Sequence, residues 1–293
     1  MFEKFCCNEN ADLSRYSTIK IGGRARWLVF PKDENEFVEI FSIANRKGYE
    51  PFVLGNGSNT LFDVDFFDGV VISTRHLAKI ERLDGDRVRI GAGVNVFYLN
   101  TKLKSFGLGG MEWSYGIPAS FGGLVYMNGG AFGSEIKDVL ESVTVFDGKK
   151  IFELKADELH FSYRNSDLGN LTILGGVLRL FQCNSMQIEE NMRNFIEQRK
   201  KSQPYDLPSL GSVFKRVVAE PTIYPAKLID TLGLKGVKIG GVEVSSKHAG
   251  FIVNTGNGTA DDYKNLLGLV EEKVWKKYHI KLEKEVVFLS EKR

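Results

Sequence analysis

GIPASFGGLVYMNGGAFG, residues 116–133, is the stretch whose reading decides the fold. Its glycines, at 116, 122, 123, 129, 130 and 133, stand among apolar and small residues with no charge. Glycine lacks a Cβ, so the main chain can adopt positive φ and lie flat against another surface, at an entropic cost when ordered. Pro118 offsets part of that cost. Ile117, Phe121, Leu124, Val125, Tyr126, Met127 and Phe132 make the run too apolar for a flexible linker. It is therefore expected to be a packed, largely buried loop that lines a ligand. The other reading of the same residues is a glycine-rich turn between core strands, with no ligand. A serine-hydrolase elbow fails, because Pro118 and not a glycine lies two residues before Ser120.

Towards the N-terminus, Arg26 to Phe30 reads as a strand. Asp33 then opens a helix with Glu36 three residues on, the capping-box pattern, and Gly48 is expected to end it. Phe37, Ile40, Phe41 and Ala44 follow helical spacing, and PFVL at 51–54 resumes as a short strand, giving a β-α-β start. Directly after that strand comes Gly55-Asn56-Gly57-Ser58-Asn59. A turn of small residues leaving a strand exposes successive backbone N–H groups, here joined by the Ser58 and Asn59 side chains, and such turns hold phosphate oxygens. The dinucleotide fingerprint GxGxxG is incomplete: its third glycine falls at Thr60 and no long helix follows, which disfavours a Rossmann site. Taken alone, the loop reads either as a phosphate cradle or as an ordinary turn.

GVVIST (69–74) and RVRIGAG (87–93) read as further strands, followed by an amphipathic helix over 95–106. Beyond the glycine segment, 142–154 reads as a hairpin turning at Asp147-Gly148, and 171–181 as a long buried strand. Between them lies a polar knot, Ser162-Tyr163-Arg164-Asn165-Ser166, whose plain reading is a surface turn with a solvated arginine. A charged helix over 186–201 and the linker QPYDLPS precede a separate last lobe. That lobe carries Gly211-Ser212-Val213-Phe214-Lys215-Arg216, the helix-to-turn run LIDTLGLKGVKIGG, and VSSKHAGFIVNTG leading into a strand. Thr259 caps a final helix with Leu266, Leu267, Val270 and Val274 on one face and lysines near its C-terminus. A closing or edge strand over 282–289 contains Glu285, a position where a lone glutamate commonly faces solvent.

A chain of 293 residues buries a large core and is expected to divide into two or three lobes. Thirty-nine basic against 37 acidic residues leave a formal charge of +2, which argues against a nucleic-acid binder and allows local basic pockets for phosphates. A small-molecule partner follows. No stretch has the apolar length of a signal peptide or a membrane span, so a cytoplasmic protein is expected. Cys6, Cys7 and Cys183 lack CxxC or metal spacing, which predicts free thiols and no metal site.

In this order, LGNGSNTLF, GIPASFGGLVYMNGGAFG, YRNS, PSLGSVFK, LKGVKIGG, KHAGFIVNTG and LEKEV make the chain resemble the UDP-N-acetylenolpyruvoylglucosamine reductases over nearly its whole length. No single motif carries the likeness; together they are specific. The resemblance implies an α+β chain with the FAD-binding fold of the vanillyl-alcohol-oxidase type. Two FAD-binding lobes would span 1–75 and 76–200, with a C-terminal α/β substrate-binding domain over 201–293. It implies FAD as cofactor, NADPH as hydride donor, and enolpyruvyl-UDP-N-acetylglucosamine as the small-molecule substrate of a monomeric enzyme with no nucleic-acid or membrane partner. Asn56, Gly57, Ser58 and Asn59 would hold the FAD pyrophosphate. Gly116, Ile117, Pro118, Ser120, Gly122 and Gly123 would run along the cofactor through their backbone.

Three catalytic positions carry over: the YRxS arginine onto Arg164, the GSxFK serine onto Ser212, and the glutamate of the LxPEV ending onto Glu285. Each residue type suits the chemistry implied. Hydride delivered to the enolpyruvyl methylene carbon leaves enolate-like charge that a fixed cation such as Arg164 can stabilise. The adjacent carbon then takes a proton from a positioned donor, the Ser212 hydroxyl, with Lys215 as helper. Glu285 would fix geometry and polarise the enolate with Arg164. Lys215 and Arg216 are expected to contact phosphate or carboxylate, and Gln203, Tyr224 and His248 to line the nucleotide pocket, although His248 reads equally as a solvated or core histidine. The chain departs from the family pattern at Arg216-Val217, at Lys284 and in its LSEKR ending; the first bears on phosphate contacts. A strand and a helix fill most of the stretch between Arg164 and Ser212, leaving little room for a tyrosine-bearing substrate lid, which places the chain with the lid-less subclass. The competing readings are another FAD-dependent sugar oxidoreductase on the same fold, or a non-catalytic nucleotide-sugar binding protein.

Overall fold

A computed structural model describes residues 1–290, which divide into two compact units interleaved along the chain. The first comprises Met1–Asn10, Arg26–Asn56 and Gly69–Arg199; the second comprises Ala11–Ala25, Gly57–Asp68 and the chain from Lys200 onward. The break at Lys200 falls where the charged helix runs out. The short returns at 11–25 and 57–68 belong with the C-terminal residues because Ile19, Ile21 and Leu61 are buried in the same apolar cluster as Leu210, Val213, Leu266 and Val286.

In the first unit the strands follow the alternation of the sequence. A five-stranded antiparallel sheet runs in the order Ile151–Lys155, Leu140–Phe146, Thr172–Arg179, Arg87–Gly91, Ile80–Arg82. Its central strand, TILGGVLR, is buried along nearly all its length, as a strand covered on both faces must be. The hairpin turns where expected, with the Asp147 carboxylate accepting from the N–H groups of Lys149 and Lys150 and Gly148 at φ 92°. Val88, Ile90, Leu99, Leu103, Phe121, Val143 and Leu178 form the core packed on this sheet.

A second sheet, ordered Cys6–Asp12, Arg24–Phe30, Phe66–Ser73, Phe52–Leu54, carries the helix Glu34–Arg46. Asp33 caps that helix by accepting from the Glu36 N–H at 2.9 Å, and Phe37, Ile40 and Ala44 are its buried stripe. The β-α-β start is present as strand, helix, strand along the chain, but Phe66–Ser73 inserts between the two strands and pairs in parallel with Phe52–Leu54.

The stretch 116–133 differs from the expected loop. Phe121–Tyr126 is a short helix capped by Ser120, whose hydroxyl accepts from the Gly123 N–H at 3.3 Å. Phe121 and Val125 are fully buried, whereas Tyr126 and Phe132 are 46% and 45% exposed, so the segment is not buried throughout. The reason is packing: a Cβ on Gly122 would lie 2.9 Å from that of Ala92, and the Gly122 N–H donates to the Ala92 carbonyl at 2.8 Å. Part of the glycine content therefore serves helix-to-strand approach.

The second unit holds an antiparallel sheet ordered Ser209–Ser212, Phe251–Asn254, Val242–Val244, Lys238–Ile239. The helix Ala260–Tyr278 covers one face, burying Tyr263, Leu266, Leu267, Val270 and Val274. A complete capping box at Thr259 and Asp262 starts it, and Lys276 and Lys277 sit in its last turn. At roughly 1.5–3 kcal/mol per buried aliphatic side chain, this face and not the cap holds the helix in place. The closing strand is shorter than expected, Val287–Ser290, and pairs in parallel with Thr60–Asp63. Glu285 lies just before it. No helix among the described residues is long and apolar enough to cross a membrane.

Candidate functional site

In the second unit, two of the expected catalytic residues are brought together by main-chain bonds. The GSVFK and LEKEV segments pair antiparallel: the Glu285 N–H donates to the Val213 carbonyl and the Lys215 N–H to the Glu283 carbonyl, each at 2.8 Å, with a bridge at Phe214 and Lys284 between them. Val213 and Phe214 anchor the pairing because both are buried in the apolar cluster of this unit. Ser212 is exposed at the end of its strand, beyond a register shift between Ser209 and Ser212, and its hydroxyl donates to the Phe214 carbonyl at 3.3 Å. Register shifts of this kind re-aim a side chain.

Asn59 joins the same group. Its side-chain amide donates to the Glu285 carbonyl at 2.9 Å, and its own carbonyl accepts from the Val287 N–H at 2.9 Å, so the main chain around Glu285 is tied to Val213 on one side and Asn59 on the other. Among the described residues, the N–H groups of Gly57 and Ser58 and the Ser58 hydroxyl donate to no protein acceptor. Unclaimed donors on successive small residues are of the kind that fits a pyrophosphate. Gly57 is required where it stands: its φ is +67°, and a Cβ there would lie 1.9 Å from the Tyr16 carbonyl oxygen.

Gly57→Ala is accordingly expected to destabilise the protein by more than the roughly 1–2 kcal/mol of left-handed strain, and to weaken flavin retention. Melting temperature and the ratio of visible to ultraviolet absorbance after purification measure both effects. Wild-type values for both would remove Gly57 from the cradle.

Lys215 is not a free cation beside Ser212. Its ammonium sits 2.7 Å from a Glu283 carboxylate oxygen, with the lysine side chain 24% exposed. Arg216 is exposed, Tyr224 is 57% exposed, and the Gln203 carbonyl accepts from the Tyr205 N–H. His248 is half-buried: its Nδ1 accepts from the Gly250 N–H at 3.1 Å, its ring meets Phe251 edge-on at 4.9 Å, and burial pushes its pKa down. An open cavity of about 540 Å³ in this unit lies on the sheet face of Glu243 and Val253; none of the residues expected from the sequence lines it.

In the first unit, Arg164 occupies the tip of a tight turn closed by Ser162 and Asn165, which exchange backbone hydrogen bonds of 2.9 and 3.1 Å. It adopts φ +57°, unusual for a long side chain, and is half-buried, not solvated as the plain reading had it. Its guanidinium lies 5.0 Å over the Tyr163 ring and donates to the Gly130 carbonyl at 3.2 Å. The glycine segment and the YRNS turn are thus one assembly.

The other cofactor candidates of this unit are engaged as follows. The Asn56 amide donates to the Pro118 carbonyl at 2.5 Å, and a Cβ on Gly55 would lie 2.5 Å from the Ser120 hydroxyl, so those two loops are held close. Gly116 has φ +93°, and the Ile117 N–H is taken by Ser114. Sequence reasoning passed over Asn128 and Ser166, both buried and both bonded across this assembly. The signal available was polar residues without charge inside otherwise apolar or glycine-rich motifs.

Two family models match the chain: an FAD binding domain over residues 25–150, and the C-terminal domain of UDP-N-acetylenolpyruvoylglucosamine reductase over 203–289. Among curated proteins, the UDP-N-acetylenolpyruvoylglucosamine reductase of Thermotoga petrophila is 42% identical over 293 residues, covering 98% of this chain and 97% of its own. That of Caldicellulosiruptor bescii is 38% identical over 286 residues, covering 95% and 89%. Among solved structures, UDP-N-acetylenolpyruvylglucosamine reductase from Thermus caldophilus superposes with a TM-score of 0.81 at 30% identity, covering 98% of this chain and 99% of that one.

Proposed function

The chain belongs to the UDP-N-acetylenolpyruvoylglucosamine reductase family, FAD-dependent oxidoreductases of peptidoglycan precursor synthesis, and from that premise we propose a residue-level mechanism for its reaction. The substrate is the enolpyruvyl ether of UDP-N-acetylglucosamine, the product UDP-N-acetylmuramate, and NADPH the source of reducing equivalents. The observation that carries the reading is the pairing of GSVFK with LEKEV, which sets Ser212 and Glu285 on adjacent, mutually bonded strands beside Asn59.

Residues 56–59 would hold the cofactor's pyrophosphate and the backbone of 116–123 would line its site, with lobes 1–75 and 76–200 serving FAD and 201–293 the substrate. The chemistry FAD supplies when bound is hydride transfer, from NADPH to the enolpyruvyl methylene carbon. Arg164 places a permanent positive charge on the substrate carboxylate and the enolate-like charge that develops there. The Ser212 hydroxyl gives its proton to the carbon bearing that carboxylate, completing addition of one hydride and one proton across the double bond. Glu285, tied through its main chain to Val213 and Asn59, holds the carboxylate end of the substrate in line with that donor. Lys215 acts from its ion pair with Glu283, and Arg216, Gln203, Tyr224 and His248 contact the nucleotide portion. A monomer working in the cytoplasm on small molecules alone completes the reading; the near-balanced charge of +2 speaks only against a nucleic-acid partner.

The test is spectroscopic. The purified protein is expected to carry flavin absorbance that bleaches with NADPH under anaerobic conditions and recovers on adding enolpyruvyl-UDP-N-acetylglucosamine, with simple sugars ineffective. A colourless preparation that takes up no added FAD, or recovery with simple sugars, overturns the reading.

A further inference from the structure

We propose that Asn128 and Ser166 are positioning residues that clamp the Arg164 turn onto the glycine segment, fixing where the guanidinium points. The inference rests on the role assigned above to Arg164 and concerns how that role is built. The Asn128 amide nitrogen, fully buried, donates to the Ser162 carbonyl and to a Glu135 carboxylate oxygen, each at 3.0 Å. Both partners are acceptors, which fixes the amide's orientation. Ser166, 1% exposed, donates its hydroxyl to the Tyr126 carbonyl at 2.8 Å. One clamp therefore grips the turn just before Arg164 and the other just after it.

The turn needs such a grip. Arg164 at φ +57° pays left-handed strain, and a strained conformation persists only where its surroundings over-determine it. Its guanidinium bond to the segment, to the Gly130 carbonyl, directs the side chain but does not itself hold the backbone of the turn. Asn128 stands at φ +40°, so its own backbone is bent to bring the amide beneath the turn. A guanidinium that stabilises developing charge has to be in place before the reaction, and small misplacements cost rate out of proportion to their size.

The experiment separates the two half-reactions in the holoenzyme by anaerobic stopped flow. Ser166→Ala, the smaller change, and Asn128→Ala are each expected to leave flavin reduction by NADPH at the wild-type rate and to slow reoxidation by enolpyruvyl-UDP-N-acetylglucosamine by about 10–100-fold. In an Arg164→Lys background, adding Ser166→Ala is expected to change that rate little, because the positioned group is already gone. Hydrogen exchange supplies a readout independent of turnover: amides of 162–166 exchange faster in Ser166→Ala, while those of Thr172–Arg179 do not. Full reoxidation rates in both variants, or losses that multiply in the Arg164→Lys background, overturn the positioning role. If instead Arg164→Lys itself reoxidises at the wild-type rate, the role of Arg164 falls and the clamp falls with it. A loss confined to Arg164→Lys overturns the clamp alone.

Discussion

Replacing Ser212 with alanine is expected to lower turnover by about 10²–10⁴-fold while leaving reduction of the flavin by NADPH untouched. Removing the hydroxyl deletes only the proton donor, and hydride delivery from NADPH does not involve it. Ser212 is exposed at a strand end and its hydroxyl bond to the Phe214 carbonyl is long, 3.3 Å, so losing the hydroxyl should cost little stability. The measurement is paired: flavin bleaching by NADPH, then recovery with the enolpyruvyl substrate, alongside a melting curve. Turnover at the wild-type rate would remove Ser212 as the donor. A parallel fall in both half-reactions would mean that the substitution had disturbed the cofactor's seat and not the proton transfer.

Arg164→Ala is expected to lose roughly 10²–10³-fold in the reoxidation half-reaction, the usual effect of deleting one preorganised group at a developing charge. Arg164→Lys should recover only part of that. A lysine keeps the charge but not the planar fork, and so cannot reproduce both the carboxylate contact and the bond to the Gly130 carbonyl. Substrate affinity should weaken as well, since the guanidinium meets a carboxylate already charged in the ground state. The split is read from the dependence of the reoxidation rate on substrate concentration. If alanine and arginine gave equal rates at saturation, the cation would be a binding group only.

Much of the fold was legible because periodicity and caps are local. Asp33 and Thr259 cap the helices that their positions predict, although the Glu36 carboxylate takes the Lys32 N–H and leaves the first capping box half formed. Asp147-Gly148 turns the hairpin for reasons contained in those two residues. The candidate site was legible as motifs, with Arg164, Ser212 and Glu285 each in a recognisable surrounding. The short helix inside the glycine run was not, because glycine has poor helix propensity and the close approach of Ala92 overrides it.

Lys215 shows a partner that local sequence does not reveal. Its place near Ser212 in the chain marked it as a helper to that serine and a phosphate or carboxylate contact, and gave no sign that Glu283, far along the sequence, lies 2.7 Å from its ammonium. The strand pairing that brings Glu283 across from Lys215 is the same one that brings Glu285 to Val213. Nothing local to either segment announces it.

Sequence alone determined the family and the cofactor and nominated the chemical groups, because these readings depend on residue types in a fixed order along the chain. Tertiary structure decided how the groups are held. It tied Glu285 between Val213 and Asn59, pinned the Arg164 turn to Gly130, Tyr126 and Asn128, and left the Gly57 and Ser58 donors without partners among the described residues. The physical reason is range. Caps, turns and apolar periods act over a few residues, while the bonds that orient these groups join positions tens to hundreds of residues apart, and only the packed chain brings those together.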